Sequence, residues 1–174
     1  MPRRQPSLSA LLISCGTLIA SATIAADHQI GVGIHYWQTV DSIEGDFGTV
    51  DDAGESYLFA YQIRPSQYFR WELDLEFYDE GFQGADEIAI SPVAYALVGK
   101  GIYGGLGVGI IYSDGFVDDN FSDTFYVARA GFDVDLLPHT KIDLHGSYRV
   151  GEFDLIDEPS SDTISLGALV RFDF

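Results

Sequence analysis

The 174-residue sequence has one cysteine, Cys15, and only nine lysines and arginines against 27 aspartates and glutamates. A single cysteine excludes an internal disulfide, and four scattered histidines leave little from which to build a structural zinc site. The shortage of basic residues gives a net charge of −18 and a pI near 4.1. That balance argues against nucleic acid as a partner, because a phosphate backbone is bound by clustered Lys and Arg. Past residue 26 no apolar run is long enough to cross a bilayer as a helix. Yet 47% of residues are hydrophobic and 14% aromatic, too many for an acidic disordered chain. The length suits one domain.

Residues 1–26 read as a secretory signal peptide. Arg3 and Arg4 form the charged start, Leu8 to Ile24 the apolar stretch, and small residues follow. Cleavage is expected after Ala26, with Ala20-Ser21-Ala22 as an alternative small-x-small site. Leu12-Ile13-Ser14-Cys15 also resembles a bacterial lipobox, which would make Cys15 a lipidated N-terminus; the run Thr17–Ala26, continuing like the rest of a signal, favours the first reading. The expected domain is then 27–174, and losing Arg3 and Arg4 takes the charge from −18 to −20.

The segment Phe69-Arg70-Trp71-Glu72-Leu73-Asp74-Leu75-Glu76-Phe77 alternates apolar and charged residues without a break. That is the period of a strand with two unlike faces. The same alternation predicts eight strands, at about 29–40, 56–64, 68–78, 87–98, 102–113, 124–136, 141–150 and 163–174. Pro92 predicts a bulge or an end in the fourth. Short connections are expected near Pro65-Ser66-Gln67, Gly99-Lys100-Gly101 and Pro138-His139-Thr140. Longer ones, rich in Asp, Glu and Gly, fall near 41–55, 79–86, 114–123 and 151–162.

An all-β, up-and-down antiparallel meander with its long loops at one end and tight turns at the other is the pattern of a transmembrane β-barrel. Strands cross lipid only as a closed barrel, since every backbone polar group must pair internally. The apolar set would then meet lipid, with Tyr36, Tyr57, Tyr68, Tyr112 and Phe172 near the interfaces. The charged set would point inward. Of the seven basic residues left after processing, only Lys100 lies in a turn; Arg64, Arg70, Arg129, Lys141, Arg149 and Arg171 fall on the inward set. Glu72, Asp74, Glu76, Asp133, Asp135, Asp143 and Asp173 share it. Six charges against seven predict an interior that satisfies itself, and eight strands enclose a bore that side chains can fill. A charge-plugged lumen is expected. A soluble ligand-binding barrel would carry its apolar side chains inward and its charges outward.

These features resemble the small eight-stranded outer-membrane barrels of the OmpA/OmpX type, grouped as porin-like outer-membrane β-barrel proteins. Gly101–Gly109, followed by an acidic loop and an aromatic-rich strand, also looks like this group. The resemblance is architectural, spans 27–174, and implies a Gram-negative outer-membrane location. It further implies that the last strand, with Leu166, Ala168, Val170, Phe172 and Phe174, is the sorting signal read by the barrel-assembly machinery. With the sequence ending at Phe174, the peptidoglycan-binding part of longer OmpA-like proteins is not expected.

His145-Gly146-Ser147 has the His-x-Ser spacing of PagL-type lipid A deacylases, and a strand would put His145 and Ser147 on one face. Glu152, Asp157 or Glu158 could supply an acid. The resemblance departs at Tyr148, where that family has Asn, and at the face, which here points inward with Asp143 and Arg149. Ordinary interior residues are the expectation, with no catalysis and no cofactor. The loop acids (Asp41 to Glu55, Asp114 to Asp123, Glu152 to Asp162) lack EF-hand spacing. They read as solvated surface, with divalent cations and lipopolysaccharide phosphate as the partners they suit. His28, His35 and His139 form no ligand cluster and read as structural or surface groups. Phe47, Phe116, Val117, Phe121, Phe153 and Ile156 give the loops some apolar content, suited to mutual packing or to a partner surface. The functional expectation is a monomeric outer-membrane barrel with a structural or surface-interaction role. A narrow solute channel and a lipid A-modifying enzyme are the alternatives.

Overall fold

A computed structural model describes residues 26–39, 53–79, 88–113, 121–122, 124–151 and 163–174. Eight strands form one closed barrel: β1 (Asp27–Thr39), β2 (Ala53–Arg64), β3 (Phe69–Tyr78), β4 (Ala89–Lys100), β5 (Ile102–Gly109), β6 (Phe125–Leu137), β7 (Thr140–Val150) and β8 (Thr163–Asp173). Each pairs antiparallel with its sequence neighbour, and β1 pairs with β8 to close the cylinder. Closure leaves no strand edge unpaired. β1 begins two residues earlier and β2 three residues earlier than alternation alone suggests, because backbone pairing continues where the side-chain pattern has faded.

The short connections lie at one end: 65–68, Gly101, and Pro138-His139. Gly101 has φ 78° and His139 φ 63°, the left-handed conformations that tight hairpins require. The loop acids at 41–52, 114–120 and 152–162, with Phe47, Phe116, Val117, Phe153 and Ile156, lie outside the described residues. Phe121 bridges to Tyr112 just beyond β5.

Pro92 neither ends nor bulges β4, which pairs with β3 in unbroken register through Pro92↔Leu75. The interruption falls on the partner strand instead. β5 stops at Gly109, short of the expected residue 113, and the pairing resumes at Ile90↔Tyr112. Pro92 still accepts from Ile110 N at 3.4 Å but has no N–H to return. The hydroxyl of Ser91 donates to Ile110 O at 3.1 Å in its place.

The two faces are inverted relative to a water-soluble barrel. Ile30, Val32 and Ile34 of β1, Trp71 and Leu73 of β3, and Leu106 of β5 stand exposed on the outside. Arg70, Glu72, Asp74, Arg129 and Arg171 are buried inside. In water such a surface would aggregate; against hydrocarbon it is the stable arrangement. Of the girdle candidates, Tyr36, Tyr57, Tyr68 and Phe172 are exposed, whereas Tyr112 is half-buried.

Inside, glycines make room for rings. Trp37 pairs with Gly54, Tyr95 with Gly107, Phe125 with Gly109 and Tyr103 with Gly131. A Cβ on any of these glycines would stand within 2.7 Å of the facing ring or its hydroxyl. A bulky ring can thus lie flat across the neighbouring strand in a bore too narrow for two large side chains.

Candidate functional site: the barrel interior

The centre of the bore is a carboxylate between two guanidinium groups. Glu72 of β3 receives Arg171 of β8 in a two-pronged contact, Nη1 to Oε2 at 3.0 Å and Nη2 to Oε1 at 3.0 Å. Arg129 of β6 reaches the same Oε1 at 2.9 Å and Asp74 Oδ2 at 2.7 Å. Gln62 of β2 donates to the remaining edge of Glu72. Arg129 also donates to Ser147 Oγ at 3.1 Å and to Tyr95 OH at 2.8 Å, and its guanidinium lies 3.9 Å above the Tyr95 ring. All these groups are buried, so the charges meet in low dielectric, where paired ions hold and unpaired ones are costly.

Towards the turn end, Arg70 pairs with Asp133 at 2.8 Å and stands over the Tyr103 ring at 4.3 Å. Arg171 Nε reaches Asp143 Oδ2 at 3.2 Å, and Tyr103 OH donates to the same oxygen at 2.7 Å. Towards the loop end, Arg149 faces Glu76 Oε2 at 3.8 Å, donates to Tyr78 OH and lies 4.2 Å over Phe125.

The remaining members of the expected charge set lie at the turn-end mouth. Asp135, on the inward set by alternation, is exposed. Its nearest cation is Lys141 at 3.9 Å, beside the register shift between Asp135 and Leu137. Lys141 lies 3.9 Å from Asp173, which accepts from Gln29. Arg64 lines a mouth cavity of about 610 Å³ with His28, His139 and Lys141, and joins none of the central pairs.

Two features of the interior are not visible in the alternation. The first is apolar. Trp37, Tyr78, Ala89, Val93, Ile111, Phe125 and Val127 form a buried cluster towards the loop end. Leu58, Ala60 and Leu169 form another.

The second decides between the two readings of His35: it is a buried structural group and not a surface one. His35 of β1 and His145 of β7 are both buried, with Nε2 atoms 2.7 Å apart. His35 Nδ1 lies 2.7 Å from Glu76 Oε1, and His145 Nδ1 lies 2.6 Å from Asp143 Oδ1. Ser56 supports Glu76 at 2.5 Å. Their strands are not neighbours: β8 runs between them, and its Gly167 pairs with both His35 and His145. The imidazoles meet across that glycine.

His145 and Ser147 do not form a nucleophile–base pair here. Both ring nitrogens of His145 are engaged, by Asp143 and His35, and Ser147 Oγ accepts from Arg129. Both side chains face the bore rather than lipid. Among the described residues, no three of His, Cys, Asp and Glu are grouped to hold a metal ion.

No family model and no curated protein matches the sequence. Solved structures do match the fold. The N-terminal β-barrel domain of Pseudomonas aeruginosa OprF aligns with a TM-score of 0.55 at 11% identity, over 86% of this chain and 99% of that one. Neisserial surface protein A (NspA) aligns with a TM-score of 0.52 at 17% identity, over 86% and 97%. A de novo designed transmembrane β-barrel aligns at 0.52 with 10% identity, over 85% and 95%. At these identities the fold is what is shared, and it is that of the small eight-stranded transmembrane barrels.

Proposed function

We propose that the protein is an outer-membrane barrel of a Gram-negative bacterium. It is exported by a cleaved leader, is closed along its bore by its own ion pairs, and has a structural or surface-interaction role. The observation that carries this reading is the pairing of all four buried arginines, Arg70, Arg129, Arg149 and Arg171, within a barrel whose exposed face is apolar. A conducting pore would leave inward charges to water; here they are spent on one another and on Tyr78, Tyr95 and Tyr103. The partners are outer-membrane lipid, with the acidic loops meeting lipopolysaccharide through divalent cations, and the assembly machinery reading the strand that ends in Phe174.

Three measurements test this. Outer-membrane fractions run unheated and heated should show the faster-migrating folded form, and recovery in the soluble periplasmic fraction would overturn the location. The purified barrel in a planar bilayer should give no resolved conductance steps; steady unit steps would replace the closed bore with a narrow channel. Identical lipid A mass spectra with and without the protein would count against an enzyme.

A further inference from the structure

The turn-end mouth of the bore is a cavity of about 610 Å³, within the range of small-molecule sites. Four charged side chains stand around it: Arg64 at the end of β2, Asp27 at the start of β1, Asp173 at the end of β8 and Lys141 near the start of β7. Because β1 pairs with both β2 and β8, and β8 with β7, their order around the rim sets two carboxylates between two cations. Deeper in the bore the arginines are held by ion pairs at 2.7–3.2 Å. The mouth is different. Arg64 and Asp27 are directly opposed in the β1–β2 register, where Cβ atoms stand about 5 Å apart, yet neither forms an ion pair or hydrogen bond among the described residues. Lys141 is 3.9 Å from Asp173 and from Asp135, beyond hydrogen-bond distance. Gln29, buried at the inner end of the cavity, donates to Asp173, and its own Oε1 accepts from no described residue.

The mouth therefore offers donors and acceptors that the barrel does not match internally, and their arrangement selects the chemistry of a ligand. The planar fork of Arg64 suits a carboxylate. Asp27 and Asp173 suit an ammonium group. A simple anion entering this ring would meet two carboxylates, and a simple cation would meet a guanidinium and an ammonium. A molecule that carries both charges a bond or two apart meets each with its opposite. Phe174, exposed on the rim, adds apolar surface for whatever side chain such a molecule bears.

We propose that the turn-end mouth is a binding site for a small zwitterion with an α-ammonium and an α-carboxylate group, a free amino acid or a short peptide. Its carboxylate lies on Arg64 and its ammonium between Asp27 and Asp173. The ion pairs of the bore form the floor beneath it, so the ligand enters and leaves at the turn end. That this end faces the periplasm rests on the outer-membrane reading; the site itself does not.

The test uses the full barrel, ¹⁵N-labelled and folded in phospholipid nanodiscs, titrated with L-alanine, L-alanyl-L-alanine, propionate and ethylamine. The two zwitterions should shift the turn-end amide signals of β1, β2 and β8 saturably, and the tighter of them tells an amino acid from a peptide. Propionate and ethylamine each keep one charge and should bind about tenfold or more weakly. Arg64→Gln and Asp27→Asn, both outside the central ion pairs, should keep the heat-modifiable fold and weaken the tighter zwitterion by a similar factor. Propionate or ethylamine binding as tightly as L-alanine would overturn the zwitterion site, leaving a site for one charge only. No saturable shift with either zwitterion, or shifts unchanged in both variants, would overturn the site altogether. A barrel recovered from the soluble periplasmic fraction that still binds would overturn the location and leave the site standing.

Discussion

Arg129 of β6 and Glu72 of β3 meet across the bore, Nη1 to Oε1 at 2.9 Å, with both side chains buried. Because Arg171 shares that carboxylate, Glu72→Ala would take one partner from each of two buried guanidinium groups, leaving Arg129 to Asp74 and Arg171 to Asp143. The expected loss is about 3–5 kcal/mol, read as a lower midpoint for urea unfolding of the vesicle-folded barrel. The pair itself contributes less than its rupture costs. Glu72→Met combined with Arg171→Met should therefore recover part of the loss, leaving Arg129 to Asp74. A double variant no more stable than Glu72→Ala would contradict this account.

Gly167 makes room for the histidine pair. A Cβ there would stand 2.3 Å from His35 Cδ2 and 2.4 Å from His145 Nε2. Gly167→Ala should part the rings and destabilise the barrel by about 1–3 kcal/mol, the range for overpacking. Gly146, one residue before Ser147 on the outer face, is the control: its nearest neighbour would be 3.7 Å away, in ordinary contact. Gly146→Ala should leave the unfolding midpoint within error. Equal effects at the two sites would count against the packing argument.

The barrel was legible in the sequence because alternation is a local signal: Phe69 to Phe77 declares two faces without reference to any other strand. The pairing inside was not, because it depends on which strands stand opposite across the cylinder. Arg129 and Glu72 are 57 residues apart, and His35 and His145 are 110 apart. Beside Gly31 and Gly33, His35 looked like a lone polar residue on an empty face. Its partner becomes visible only once the register sets Gly167 between them. The inward glycines were the available clue, since a glycine opposite a ring marks where that ring lies. Asp135 followed the alternation but escaped burial because it sits where the β6–β7 register shifts. Pro92 signals a local break in β4, yet its effect appears at the end of β5, where the Ser91 hydroxyl replaces the missing N–H.

That replacement is open to a double-mutant cycle. Ser91→Ala leaves the half-buried carbonyl of Ile110, just past β5, without that donor, at a cost of about 1–3 kcal/mol. Pro92→Ala alone restores an N–H to the β4–β5 ladder and should be neutral or slightly stabilising. In the Pro92→Ala background, Ser91→Ala should become nearly silent, because the backbone then serves the same acceptor. Additive effects across the four proteins would show that the hydroxyl and the missing N–H are unrelated.

The outward face carries the most direct test of the membrane reading. Leu73 sits at the middle of β3 and is 53% exposed, so in water Leu73→Arg would be nearly free. In a bilayer the same change puts a charge at the level of the acyl chains. The expected cost is about 2–4 kcal/mol at the midplane, falling towards the interfaces. Tyr57→Arg, in the aromatic girdle, should cost less for that reason. Equilibrium folding into short-chain phosphatidylcholine vesicles measures both variants against the parent. A depth-dependent penalty identifies lipid as the solvent of this face, whereas equal and negligible penalties would return the barrel to water.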